Sequence, residues 1–79
     1  MFRRLQLLVS LALASTACAP SEGERAEKAY EMVQESAIDR SEVCVAARKA
    51  RDAWLADGNR EKYELAELRA YSDCQKALR

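Results

Sequence analysis

The distribution of charge divides the chain into an uncharged leading part and a long charged part. Residues 5–14 (LQLLVSLALA) carry no charge, whereas charged residues recur at short intervals from Glu22 to the end of the chain. Arg3 and Arg4 precede the uncharged stretch, and the small residues "STA" follow it. The first part therefore suits an apolar environment, and the second suits contact with water.

The charged part has the composition and the start signals of helices. Ala, Glu, Lys, Arg and Leu dominate residues 21–79, and all five are good helix formers. Ser21 followed three residues later by Glu24 matches a capping box, which begins a helix. A weaker interruption lies at residues 36–41, where two serines can each begin a helix. A kink there is therefore an alternative to an uninterrupted first helix.

One strong helix breaker lies near the middle of the charged part. In "DGN", Gly58 can adopt the left-handed conformation that closes a helix, and Asn59 can cap the next one. A short connection of this kind joins two antiparallel helices. The sequence predicts an all-α fold in residues 22–79. We expect a helical hairpin with one helix at about 22–57 and another at about 60–78.

The cysteine positions set a register for this hairpin. Cys44 lies 15 residues before Asn59 and Cys74 lies 15 residues after it, so the two are expected to be neighbours. Steps of 3, 7 and 11 residues from each cysteine stay close to one helical stripe. The same register pairs the residues at those steps: Ala47 with Tyr71, Arg51 with Glu67, and Leu55 with Tyr63. We predict a Cys44–Cys74 disulfide and an interhelix salt bridge between Arg51 and Glu67.

The leading part has the order of a bacterial secretory signal. A short positive start, an apolar stretch and small residues follow one another, and a cut before Cys18 is compatible with the small residues Ser15 and Ala17. A membrane-spanning helix needs about 20 apolar residues, and the charge at Glu22 interrupts the apolar stretch before it reaches that length. We therefore predict that residues 1–17 are a signal peptide. A membrane-retained anchor and a buried N-terminal helix are the alternatives.

The residues "ASTAC" resemble the lipobox of bacterial lipoproteins, with Ser15 at the position where leucine is usual. The resemblance implies that Cys18 receives a diacylglycerol and becomes the new N-terminus, with residues 18–21 as a short tether. Cysteines of exported proteins tend to pair, so lipid on Cys18 would explain why three cysteines are present. The alternative is cleavage without lipid, which leaves a free thiol or an intermolecular disulfide at Cys18. The residue after the cysteine is Ala19 rather than an aspartate, which resembles lipoproteins that are sent to the outer membrane.

The charged part contains no sequence motif that indicates catalysis or metal binding. The chain has no histidine, and Cys44 and Cys74 are too far apart for a compact zinc motif. With the signal removed, acidic residues outnumber basic ones by two, which disfavours nucleic-acid binding. We therefore expect no enzymatic activity, no cofactor, no metal and no small-molecule substrate. Trp54, Tyr63 and Tyr71 are expected to pack within the hairpin.

The first helix is predicted to extend beyond the end of the second one. Opposite Arg79 the register places Asp39, so the residues of the first helix before Asp39 have no partner in the hairpin. Their apolar stripe is a candidate interaction face, and it consists of Ala26, Tyr30, Val33 and Ala37. An unpartnered apolar stripe tends to find a partner, which would be another protein or a second copy. The alternative is a solvated helical stalk.

Two functional classes follow from these expectations. The first is a lipoprotein anchored in the bacterial envelope, on the periplasmic side and at the outer membrane, that acts as a structural or protein-interaction module. The second is a small periplasmic or secreted helical protein without lipid, such as an inhibitor or assembly factor. A mass measurement of the mature N-terminus separates the two classes.

Overall fold

The structure is a computed structural model that describes residues 19–79. The predicted signal peptide and the predicted lipid site lie outside the described residues. Three helices follow one another: α1 (Glu22–Ser36), α2 (Arg40–Ala56) and α3 (Arg60–Ala77). The prediction of an all-α fold is confirmed for the part of the chain that the structure describes. The first predicted helix, however, is divided into α1 and α2.

The helix ends form at the residues whose side chains can satisfy free backbone groups. The backbone N–H of Glu24 donates to the hydroxyl of Ser21 over 3.2 Å at the start of α1. At the start of α3, the N–H of Lys62 donates to the side-chain oxygen of Asn59 over 3.1 Å. Gly58 lies between α2 and α3 with a φ of 73°, in the left-handed region that favours glycine. These caps and the turn agree with the sequence signals.

The chain reverses between α1 and α2. Ala37 and Asp39 have extended backbone conformations, with ψ angles of 133° and 135°. At the start of α2, the Asp39 carboxylate accepts a hydrogen bond of 3.0 Å from the backbone N–H of Ser41, in the first turn. This break falls inside the interval 36–41 considered for a kink. It is a full reversal, so the expected overhang of the first helix is wrong: α1 folds back and packs along α2.

Small side chains make α2 the central helix. Ala46, Ala47 and Ala50 are buried, so α1 and α3 can both approach the α2 backbone closely. In contrast, α1 and α3 meet through long side chains rather than through close backbone packing. The buried apolar residues come from all three helices: Tyr30, Cys44, Ala46, Ala47, Ala50, Trp54, Ala66 and Ala70.

A disulfide bond joins α2 to α3. Cys44 and Cys74 are bonded, and their Cα atoms lie 4.6 Å apart, which confirms the predicted pair. The buried side of α3 differs from the predicted one, because Ala66 and Ala70 are buried whereas Tyr71 is 69% exposed. These alanines lie four and eight residues before Cys74, and the expected stripe ran at steps of three and seven. Both sets of steps share a face with the cysteine, and packing against alanine-rich α2 selects the smaller residues.

Candidate interaction surfaces

The apolar stripe of α1 is part of the protein's own core. Tyr30 is only 4% exposed and packs with Ala46, Ala47 and Ala70, and Val33 is partly buried against the same cluster. The sequence predicts that the stripe formed by Ala26, Tyr30, Val33 and Ala37 has no partner within the chain. In the structure the chain reverses at residues 37–39, and α1 packs on α2. Tyr30 is therefore not available for contact with a second protein.

A polar cluster connects α1 to α3 across one side of α2. Two nitrogens of Arg69 donate to the Glu27 carboxylate over 2.7 and 2.9 Å, and the indole N–H of Trp54 donates to it over 2.9 Å. The Tyr30 hydroxyl donates to Asp73 over 2.6 Å. The Arg69 guanidinium carbon also lies 4.0 Å from the centre of the Tyr30 ring, in a cation–π contact. We call these five residues the α1–α3 cluster.

The pKa values in the α1–α3 cluster reflect these contacts. The hydrogen bond from Arg69 lowers the pKa of Glu27; burial opposes this effect, and the hydrogen bond from Trp54 supports it. Burial raises the pKa of Tyr30 to about 12, and the hydrogen bond to Asp73 acts in the same direction. Glu27 is therefore ionised and Tyr30 is neutral at neutral pH. Each group is engaged by another member of the cluster, which gives the cluster a structural role.

The lowered pKa of Glu27 predicts a dependence of stability on acid. Its folded-state pKa lies below the unfolded value of 4.5, so the unfolded chain binds more protons in acid. Stability from the ionised form is present above that value and is lost as the pH falls through the folded pKa. We expect the free energy of unfolding, measured by urea titration at pH 3 to 6, to fall in acid. Glu27→Gln should flatten this dependence, whereas the exposed Glu35→Gln should leave it unchanged.

The predicted salt bridge between Arg51 and Glu67 is replaced by a local one. Arg51 Nε lies 2.9 Å from a carboxylate oxygen of the adjacent Asp52. Glu67 is exposed, because the buried side of α3 runs through Ala66 and Ala70. Arg51 and Glu67 do line the same groove between α2 and α3. The pair that forms is solvated, and such pairs contribute about 0–1 kcal/mol.

The start of α1 is fixed to the turn between α2 and α3. The backbone N–H of Gly23 donates to the Asp57 carboxylate over 2.8 Å, and this carboxylate also complements the positive end of the helix dipole. Gly23 is buried beneath the Trp54 ring, and a Cβ at this position would overlap the indole. Sequence reasoning missed this contact because it joins two segments that the predicted hairpin kept far apart.

An open groove runs between α1 and α2 on the side away from the α1–α3 cluster. Its volume is about 510 Å³, and its floor is formed by small and branched apolar side chains. One lysine and one glutamate, Lys49 and Glu42, lie at its border. The residues that line this α1–α2 groove are Ala26, Ala29, Val33, Ser36, Ser41, Glu42, Val45, Ala46 and Lys49. Two members of the predicted interaction stripe, Ala26 and Val33, therefore contribute to an accessible surface.

Exposed apolar side chains concentrate along α3 and its C-terminal cap. Within residues 19–79 the large exposed apolar residues include Leu65, Leu68, Tyr71 and Leu78, with exposures between 59% and 82%. Tyr71 and Leu78 lie along the groove between α2 and α3, whereas Leu65 lies beside the α1–α3 cluster. The buried side of the helix runs through Ala66 and Ala70. Packing of α3 against α2 therefore leaves these four large apolar side chains accessible to solvent.

The comparisons with known proteins add no relative. No protein-family model, curated protein or solved structure matches this chain. In residues 19–79 no helix combines the length and apolar character needed to cross a membrane. The same residues contain no group of three or more His, Cys, Asp or Glu side chains arranged to hold a metal ion.

Proposed function

We propose that the protein is a small exported lipoprotein of the bacterial envelope that acts as a structural or protein-interaction module without catalysis. The observation that carries this proposal is the Cys44–Cys74 disulfide. Structural disulfides persist in oxidising compartments, which supports export. The bond also uses two of the three cysteines, so Cys18 is left for the lipid that the lipobox-like sequence implies.

The position of α1 determines how the helices of such a lipoprotein would be oriented relative to the membrane. The Gly23–Asp57 hydrogen bond holds the start of α1 beside the α2–α3 turn. A lipid on Cys18 would therefore be separated from the helices by residues 19–21 alone. In this arrangement the turn end of the helices faces the membrane. The α1–α2 connection and the C-terminus face away from it, towards the periplasm.

The role as an interaction module rests on which surfaces remain available. The charged groups of the α1–α3 cluster bind one another, so they are not free to act on a substrate. The α1–α2 groove and several residues of α3 expose apolar side chains. Exposed apolar surfaces of this kind are typical of sites that contact other proteins.

Lipid attachment can be measured directly. We expect radiolabelled palmitate to enter the protein and Cys18→Ser to abolish the label. Cys44→Ser is the matched control, because it removes a different cysteine and should leave the label in place. A wild-type protein that takes up no label and stays in the aqueous phase of a detergent partition would contradict the lipoprotein proposal.

A periplasmic or secreted protein without lipid is the second candidate. The observation that favours it is Ser15, which stands where the lipobox usually has leucine. In that case the mature N-terminus would have the mass of an unmodified cysteine. Such a protein could still act as an inhibitor or assembly factor through the same exposed surfaces.

A further inference from the structure

We propose that the groove between α2 and α3 binds an amphipathic helix of a partner protein, and that an acidic side chain of this helix pairs with Arg48. The inference rests on the interaction-module part of the proposed function and commits that module to one surface and one class of partner. It does not depend on whether Cys18 carries a lipid.

The shape of this α2–α3 groove favours a helix as its occupant. The groove has a volume of about 510 Å³, and each of its two walls contains a stripe of residues spaced three and four apart. The Cys44–Cys74 disulfide belongs to both stripes, so it fixes the distance between them. Such stripes on two adjacent helices are typical of bundles, in which a third helix packs against both. The stripes consist of Ser41, Cys44, Arg48 and Arg51 on α2, and of Glu67, Tyr71, Cys74 and Leu78 on α3.

Apolar side chains occupy the middle of the α2–α3 groove and its end near the C-terminus of the chain. Val45, Tyr71 and Leu78 line this part, and they are 50%, 69% and 82% exposed. Tyrosine in particular is enriched among the residues that dominate the binding energy of protein interfaces. These three side chains offer a contact to the apolar face of a partner helix.

The other end of the α2–α3 groove carries two arginines and one glutamate. Arg51 is paired with Asp52 over 2.9 Å, and Glu67 lies on the opposite wall. Arg48 belongs to none of the ion pairs that the described residues form. Its guanidinium is therefore available to a carboxylate, and charge complementarity selects a partner that places an acidic side chain there.

The positions of Leu78 and Arg48 set the spacing that the partner helix needs. Leu78 follows Cys74 by four residues, and Arg48 follows Cys44 by four. Because α2 and α3 are antiparallel, the two side chains lie on opposite sides of the disulfide, about 12 Å apart along the groove. A helix covers this distance in about eight residues. The partner should therefore carry apolar residues one turn apart and an acidic residue about eight positions from the first of them.

The test is a titration of the purified protein with two alanine-based helical peptides of about 20 residues. In the acidic peptide two leucines lie one turn apart, and a glutamate lies about eight positions from the first leucine. The basic peptide has lysine in place of this glutamate. Cys18→Ser is present in every sample, and binding is followed by amide chemical shifts. We expect saturable shifts at Val45, Tyr71 and Leu78 with the acidic peptide, and about fivefold weaker binding of the basic one.

Charge reversal at Arg48 tests the proposed ion pair. Arg48→Glu should weaken binding of the acidic peptide about fivefold and reverse the preference in favour of the basic peptide. Lys49→Glu is the matched control, because it changes the net charge equally but Lys49 borders the α1–α2 groove. This control should keep the preference for the acidic peptide.

Leu78→Ser tests the apolar contact, and Leu68→Ser is its matched control. Leu68 is 70% exposed and is not among the residues that line the α2–α3 groove. We expect only Leu78→Ser to weaken binding, with helical circular dichroism unchanged in both variants. Equal weakening by the two variants overturns the proposal.

Three further outcomes overturn the proposal. One is the absence of saturable shifts with the acidic peptide, and another is an equal effect of Arg48→Glu and Lys49→Glu. Shifts that appear when the protein alone is concentrated would identify a second copy as the occupant. Decanoate serves as an additional probe, and its binding at Arg48 in place of the acidic peptide would assign the groove to a small anionic amphiphile. Palmitate labelling is unaffected by these results, so the envelope proposal is judged separately.

Discussion

Cys44→Ala will lower the free energy of unfolding by about 3–4 kcal/mol. The disulfide closes a loop with a sequence separation of 30, and on the chain-entropy model its loss frees the unfolded state. The three helices form a small core made largely of alanine, which leaves little other stabilisation. Urea denaturation followed by circular dichroism measures the change, and a reductant should produce a similar loss in the wild-type protein.

Two controls separate this effect from side-chain packing. Cys74→Ala should destabilise by a similar amount, and the Cys44→Ala/Cys74→Ala double variant should be little worse than either single one, because one bond is lost in each case. A double variant that loses twice as much would show that packing of the sulfurs, rather than the bond, gives the stability. Cys18→Ser should leave the denaturation midpoint unchanged.

Trp54→Ala should cost about 3–5 kcal/mol, the range for removing a large aromatic side chain from a core. Trp54 is 7% exposed, its ring covers Gly23, and its indole N–H donates to Glu27. Its loss therefore leaves a cavity between α1 and α2 and removes one partner of the Glu27 carboxylate. Thermal and urea unfolding measure the change in stability.

Trp54→Phe separates the two contributions at this site. It keeps most of the ring and removes the hydrogen bond, so we expect about half of the full loss or less. Leu55→Ala is the neighbouring control, because Leu55 is 60% exposed and alanine favours the helix. Equal losses for Trp54→Ala and Leu55→Ala would mean that the contact between α1 and α2 does not depend on Trp54.

The features that the sequence predicted are those that depend on local signals or on one register. Ser21 and Asn59 cap helices because their side chains reach backbone groups three residues away. The equal spacing of Cys44 and Cys74 about Asn59 required only that the turn lie at Gly58. Once these points were set, the hairpin of α2 and α3 and its disulfide followed from helix geometry alone.

The reversal at residues 37–39 was not predictable in the same way. Ser36, Asp39 and Ser41, in and beside this segment, are compatible with a helix start, a kink or an interrupted turn, and no glycine or proline decides among them. The outcome depends on distant contacts, since Tyr30 and Glu27 gain Asp73 and Arg69 as partners only when α1 folds back. These residues lie at suitable helical spacings, but such spacings are common in charged helices.

The position of the disulfide has a mechanical consequence. Because the chain reverses twice, its two described ends, at Ala19 and Arg79, lie at opposite ends of the helices. A pulling force between them passes through the sulfur bridge and bypasses the residues between Cys44 and Cys74. About 100 Å of chain cannot be drawn out while the bridge is intact. Under tension α1 should therefore peel away first, with its contacts to Asp57 and Arg69, while the loop of α2 and α3 beyond the bridge carries no load and stays folded.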